Sequence, residues 1–341
     1  MKRRRLLLAI AAALLAAPVF TMQGARADEA KLIMTTISSP NSQVGQENYH
    51  GWANRVNEAG KGIVTIDIRD GFTLANSTNF YDRLLSDVMQ ISFGSLNYLA
   101  GKFQLSQVMA LPFVMDSAEQ ESVVFWRLYK SGLLDSEFDQ IVPLYFYAFP
   151  QVALHLTKVP AAPLQDLTGL RLLVAGQIPS AMIQKLGGSP LSIGLSESYQ
   201  ALQHSTADGI SFPMAPLPDF KLDEVTHYHI LASLGGGPGG VWMAKAKYQS
   251  LAPGVRKILD ENSGEAESRR VGATLDRFEA NVRTRFEGSK DHKVVTLTPE
   301  QRAAWTARVS PIIEAWAGVD EAHAKVLAKV RKLAADVKAG N

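Results

Sequence analysis

The sequence predicts a two-lobed α/β chain, on three observations. From Lys31 onward, β-rich runs alternate with amphipathic helical stretches, which implies βαβ units and a mostly parallel sheet. A second alternation of the same kind begins at Leu170, after two further strand-like runs. The length, 341 residues, exceeds what one hydrophobic core usually holds. No internal repeat recurs, and no stretch has the composition of a disordered linker.

Residues 1–27 read as a targeting segment outside the fold. Lys2 to Arg5 form a basic start, Leu6 to Phe20 an apolar run, and Ala25-Arg26-Ala27 a small-residue cleavage pattern. The apolar run is shorter than the roughly 20 residues that a membrane span needs. The arginines before leucines leave both the general and the twin-arginine export routes open. Cleavage before Asp28 removes five positive charges and turns the formal +2 into −3. Charge therefore gives no reason to expect nucleic acid or an anionic membrane as partner. The absence of cysteine excludes disulfides, thiolate metal sites, a cysteine nucleophile and a lipid anchor on cysteine. The expected product is a freely soluble, exported monomer.

Along the chain, KLIMTTIS (31–38) alternates as a strand, and QENYHGWANRVNEAG (46–60) is a helix closed by Gly60. GIVTIDIRD (62–70) and VMQISFGS (88–95) are strands around a helix over 77–86, with Ser77 as its N-cap. A helix over 118–129 precedes strands at 141–149 and 152–158. The second set comprises a strand at 170–174, helices at 179–187 and 196–204, the latter capped by Ser196, and a strand at 208–212. Strands at 227–234 and 240–246 flank GGGPGG, and the chain is then helical to about Lys338. The exception is a strand from Lys293, followed by a capping box at Thr298 and Gln301. The implied organisation is a first lobe over 28–150, completed by part of 240–341, and a second over 151–240. The remainder, 241–341, supplies a crossing strand and C-terminal helices packing across both lobes.

The search for chemistry is mostly negative. GGGPGG (235–240) lacks the Lys-Ser/Thr of a phosphate loop and reads as a turn or hinge. GLSES (194–198) does not fit the nucleophile elbow. His227 and His229 share a strand face without a third metal ligand nearby, so they read as ordinary histidines. The carboxylates of DSEFD (135–139) read as a solvated edge. No base, nucleophile and oxyanion donors assemble, so neither an enzyme nor a cofactor is expected.

A secreted two-lobed chain without a catalytic set fits a periplasmic ligand carrier, and specific residues bear this out as a resemblance. LSESYQALQHSTADGISFP (195–213) resembles the segment F-S-E-x-Y-x-A-L-Q-x-G-x-x-D-G-x-E-N-P of substrate-binding proteins of tripartite ATP-independent periplasmic (TRAP) transporters. LQDLTGLRLLV (164–174) is similar to the family's D-L-K-G-L-K-I-R-V, and LPF (111–113) and YQSLAPGVRKIL (248–259) match further runs. The resemblance implies a Venus-flytrap α/β fold with crossing strands and a long connecting helix. It also implies capture of a small ligand between the lobes and delivery to TRAP membrane subunits driven by an ion gradient. A periplasmic sensory module serving a receptor kinase is the alternative.

Family members usually hold organic anions with an arginine on the second-lobe strand, because a guanidinium pairs a carboxylate bidentately. That position is Leu173 here. Asparagine and glutamate of the family's E-N-P become Phe212 and Ser211, its phenylalanine becomes Leu195, and a second arginine position falls near Ala153. Thr36 or Ser38, Asn76 and Ser95 supply first-lobe polar positions, and Gln177 completes the candidate ligand set. Arg171, on the same strand face as Leu173, or another basic residue is the candidate replacement for the missing cation. Without it, a buried carboxylate faces a desolvation cost of several kcal/mol. The expected ligand is neutral or largely apolar and aromatic, covered by Phe212.

Overall fold

The computed structural model describes residues 29–160 and 165–340. The targeting segment read over 1–27 lies outside the described residues. In chain order the first strands and helices are β1 (Ala30–Thr35), α1 (Gln43–Gly45), α2 (Gly51–Ala59), β2 (Val64–Arg69), α3 (Phe80–Leu85), β3 (Ile91–Ser95), α4 (Ala118–Lys130) and β4 (Ile141–Phe146). There follow β5 (Ala153–Leu156), β6 (Arg171–Leu173), α5 (Gln177–Lys185), β7 (Ser189–Leu191), α6 (Ser198–Gln203), β8 (Gly209–Phe212), β9 (Tyr228–Leu231) and β10 (Gly239–Ala244). The chain ends with α7 (Lys245–Ser250), α8 (Pro253–Glu261), α9 (Gly264–Glu287), β11 (Lys293–Thr296), α10 (Pro299–Val309), α11 (Pro311–Ala317) and α12 (Glu321–Lys338).

Two mixed sheets define the two lobes. The first has the order β2-β1-β3-β10-β4 and the second β11-β9-β5-β8-β6-β7. The sheets are parallel except around one strand each. β10 runs antiparallel to β3 and β4, and β5 antiparallel to β8 and β9. These are the two strands that enter their sheet directly from the other lobe, and a short crossing reverses the chain's direction. β11 pairs in parallel with β9 at the edge of the second sheet.

The sequence explains the layers. β3 and β10 lie inside the first sheet and are buried along their whole length, as their apolar runs ISFGS and GGVWMA demand. Trp242 is fully buried and donates its indole N–H to the Gly94 carbonyl at 3.1 Å. Gly94 is obligatory: a Cβ there would lie 2.2 Å from the Phe80 ring. The capping box of α10 forms as read, with Thr298 and Gln301 bonding reciprocally. Two other caps differ. α3 is capped by Asn79 rather than Ser77 and without a side-chain bond, while Asn76 Oδ1 accepts from the Thr78 and Asn79 amides just before it. Ser196 lies within a 3₁₀ turn, Leu195–Glu197, and no side-chain bond caps α6. Glu137 of DSEFD is also no solvated carboxylate, since it accepts the amides of Leu105 and Ser106 and the Ser106 hydroxyl.

Four stretches link the lobes, the last being the passage from α11 to α12. Residues 147–152 and 235–239 run antiparallel, with Tyr147 N–H to Gly239, Phe149 N–H to Gly237 and Val152 N–H to Gly235 at 2.8–3.1 Å. GGGPGG is therefore a packed crossing strand rather than a loose turn. Gly235 takes a φ of +90°, and a Cβ on Gly236 would stand 2.2 Å from Glu121 Oε2. The third link is α9, which packs on α4 and β4 in the first lobe and on β11 in the second. Its first-lobe end is held by Glu267, buried and paired with Arg55 and Arg270, and by Glu265 on Arg127. α10 and α11 cover α5, and α12 lies on α4.

Candidate functional site

A cavity of about 80 Å³ lies between the lobes, room for about half a dozen waters or one small ring. First-lobe residues at the ends of β1 and β3 and the start of α3 form one wall. They include Ser38, Asn76, Ser77, Ser95, Asn97 and Tyr98. The crossing segment adds Tyr147, Phe149 and Val152, and the second lobe closes the space with Leu195, Ser211, Phe212, Asp219 and Phe220.

The walls are aromatic. Tyr49, Phe93, Tyr147 and Phe149 pack as one cluster with ring centroids 5.1–6.2 Å apart. Phe212 meets Phe220 edge-on at 6.1 Å, and Phe220 reaches Phe72 of the first lobe at 6.2 Å. Burial pushes the Tyr49 and Tyr147 phenols well up and Tyr98 to about 12, so all three stay neutral donors.

Six of the sequence-derived residues line this cavity: Ser38, Asn76, Ser95, Leu195, Ser211 and Phe212. Four do not. Thr36 is buried beside the cavity and donates to Asp70, which also meets His50. Ala153 pairs in register with Phe212, and its neighbour Val152 faces the cavity instead. Gln177 is exposed at the start of α5, where Ala175 and Pro179 are the lining residues. Leu173 is 3% exposed and packs into the second-lobe core with Leu202, Ile210 and Met214. Arg171 does not replace the missing cation. It forms a fork on Asp208, both contacts at 3.0 Å, on the solvent side of its strand. Among the described residues, no lysine, arginine or histidine lines the cavity.

Among the described residues Asp219 is the single charged liner, and sequence reasoning missed it. Its Oδ2 accepts the Ser42 hydroxyl at 2.5 Å across the lobes. Burial, and then Asp223 nearby, raise its carboxyl above the usual range against the lowering effect of Ser42. The aromatic crossing segment was also missed, because YFYAF reads from sequence only as core strand.

Behind Phe212 lies a chain of three histidines. His155 Nε2 meets the Phe212 carbonyl at 2.9 Å, His155 Nδ1 meets His229 Nδ1 at 2.8 Å, and His229 Nε2 meets His292 Nδ1 at 3.0 Å. A carbonyl only accepts, so His155 carries its proton on Nε2 and accepts at Nδ1. His229 must then donate from Nδ1 and accept at Nε2, and His292 donates from Nδ1. Burial lowers His155 to about 4 and His229 to about 2, so the chain is neutral and its tautomers are fixed. Both ring nitrogens of His229 are thereby occupied. Among the described residues no group of three or more His, Cys, Asp or Glu is placed to hold a metal.

Two lobes joined by paired crossing strands around an enclosed cleft are the architecture of a solute-binding protein. The chain belongs to family 7 of the bacterial extracellular solute-binding proteins, the DctP family, whose sequence model matches residues 34–318. In fold it is similar to TRAP solute-binding proteins. It is 24% identical, over 92% of its length and 91% of the relative's, to the outer membrane transporter protein TsaT of Comamonas testosteroni. A TRAP solute-binding protein from Rhodoferax ferrireducens T118, solved with copurified benzoate, superposes with a TM-score of 0.83 at 24% identity, over 92% of this chain and 100% of that one. One from Bordetella bronchiseptica, with bound (R)- and (S)-mandelate, gives 0.81 at 24% identity, over 90% and 99%. Among the described residues no helix is long and apolar enough to cross a membrane.

Proposed function

We propose that the protein works in the periplasm, captures a small, largely apolar aromatic compound between its lobes, and delivers it to the membrane subunits of a TRAP transporter. The observation that supports the ligand class is the cavity lining: many rings, hydroxyls and amides, and no cation. Two relatives in fold were solved with aromatic acids, which favours an aromatic ring. A simple carboxylate is a poor fit here, because its desolvation would cost several kcal/mol with nothing to neutralise it.

Mass spectrometry of material released from the purified protein by gentle denaturation tests this reading. An aromatic compound without a carboxylate is the expected result. Tight calorimetric binding of benzoate, mandelate or a C4-dicarboxylate would refute it. Ligand-dependent association with the membrane subunits tests the delivery step.

A further inference from the structure

The polar groups of the cleft do not balance. Its hydroxyls donate or accept equally well, so they do not decide the sign of the ligand. Asn76 and Asn97 each add an amide that both donates and accepts, so the lining group of fixed sign among the described residues is the Asp219 carboxyl. Asp219 has no ion-pair partner among the described residues, and Ser42 is the one donor it meets there. Asn97 lines the same cavity, and its Oδ1 is buried without a hydrogen-bond partner. Facing them are the rings of Tyr49, Phe93, Tyr147 and Phe149 on one side and Phe212 and Phe220 on the other. Aromatic faces are negative and attract cations.

An anion entering this space meets the Asp219 carboxyl and no cation among the described residues. A neutral ligand leaves that carboxyl without a cationic partner there. An ammonium group satisfies each feature at once, through Coulomb attraction to Asp219, an N–H to Asn97 Oδ1 and the faces of the rings. We propose that the cleft takes a small organic cation, an aromatic amine in its protonated form, with Asp219 as counter-ion and Asn97 as a second acceptor. This rests on the cleft being the capture site and names the charge of what it captures. Ser42 holds the carboxylate from the opposite lobe, so the counter-ion is positioned only when the lobes are closed.

The test is calorimetry on protein freed of copurified ligand, with probes that share one ring: benzylamine, phenethylamine and benzyltrimethylammonium against benzyl alcohol and benzoate. The amines should bind roughly 100-fold tighter than the alcohol, and benzoate should not bind detectably. Asp219→Asn should remove that preference, lowering amine affinity at least about 30-fold. Because it is isosteric, its folding is checked by near-UV circular dichroism, and Ser42→Ala, which keeps the charge, should retain the preference. If benzyl alcohol binds as tightly as the amines, or if Asp219→Asn leaves the amine affinity unchanged, the cation assignment falls while capture of aromatics stands; tight binding of benzoate overturns both. If none of the probes binds, both fall.

Discussion

Glu279 gives the protein a pH response that can be isolated in one variant. It lies on α9, almost fully buried, and accepts the amides of Met214 at 3.0 Å and Ala215 at 2.7 Å, beside the cleft residues Pro213 and Pro216. Burial raises its carboxyl to about 7, against the lowering effect of those two amides, with Asp276 adding a little. The ordinary value is 4.5, and the difference corresponds to about 3 kcal/mol of stability. The folded state holds this proton more tightly than the unfolded chain does. The contribution is therefore complete below pH 4.5 and is lost as pH rises through about 7. His155 and His229 act in the opposite sense. Their lowered values mean that stability is lost as pH falls below 6.5. Wild-type stability sums these slopes, so the informative measurement is a difference. Glu279→Gln is neutral at every pH and turns an N–H toward one of the two donors, a constant offset of about 1–3 kcal/mol. Urea midpoints at pH 5 and pH 8 for both proteins should show wild type losing about 2.5 kcal/mol more than the variant over that interval. Equal pH slopes would refute the reasoning.

Three further outcomes follow from the geometry. Gly236→Ala places a methyl 2.2 Å from Glu121 Oε2 and 2.3 Å from the Phe149 carbonyl, and should cost about 2 kcal/mol or more in a urea titration; a neutral result would mean the crossing strand is looser than its packing. Leu173→Arg buries a guanidinium among Leu202, Ile210 and Met214, so it should lose several kcal/mol of stability without gaining affinity for benzoate in calorimetry. Nitrogen-detected NMR of the imidazoles at pH 7 should find His155 protonated on Nε2 and His229 on Nδ1; the reverse tautomers would break the chain to Phe212.

Much of the fold was legible because its signals are local. Periodicity of two against 3.6, with glycine and proline at the boundaries, places the strands and helices within a few residues. The pairing of β11 with β9 was not legible, since nothing near Lys293 in sequence reports an edge strand formed earlier in the chain. At the site, Ser38, Asn76, Ser95, Leu195, Ser211 and Phe212 were reachable through a motif or its departures. Leu173 was misplaced for a physical reason. Leucine at that register gains more by joining the second-lobe core than by facing the cleft. Tyr147 and Phe149 were hidden because an aromatic strand looks the same whether its rings fill a core or line a ligand. Asp219 sits in a proline-rich turn without periodicity, and only the meeting of the two lobes gives its carboxylate a role.

The long helix α9 is fastened at both ends, by Glu267 and Glu265 to the first lobe and by Glu279 and Phe286 to the second. Opening the cleft must then either bend this rod or slip one of its fastenings. It acts as an elastic element in parallel with the ligand, and the work stored in it on opening is returned on closure and adds to the cleft contacts in the measured affinity. Natural selection can therefore retune how tightly this receptor grips its cargo through substitutions far from the cargo itself.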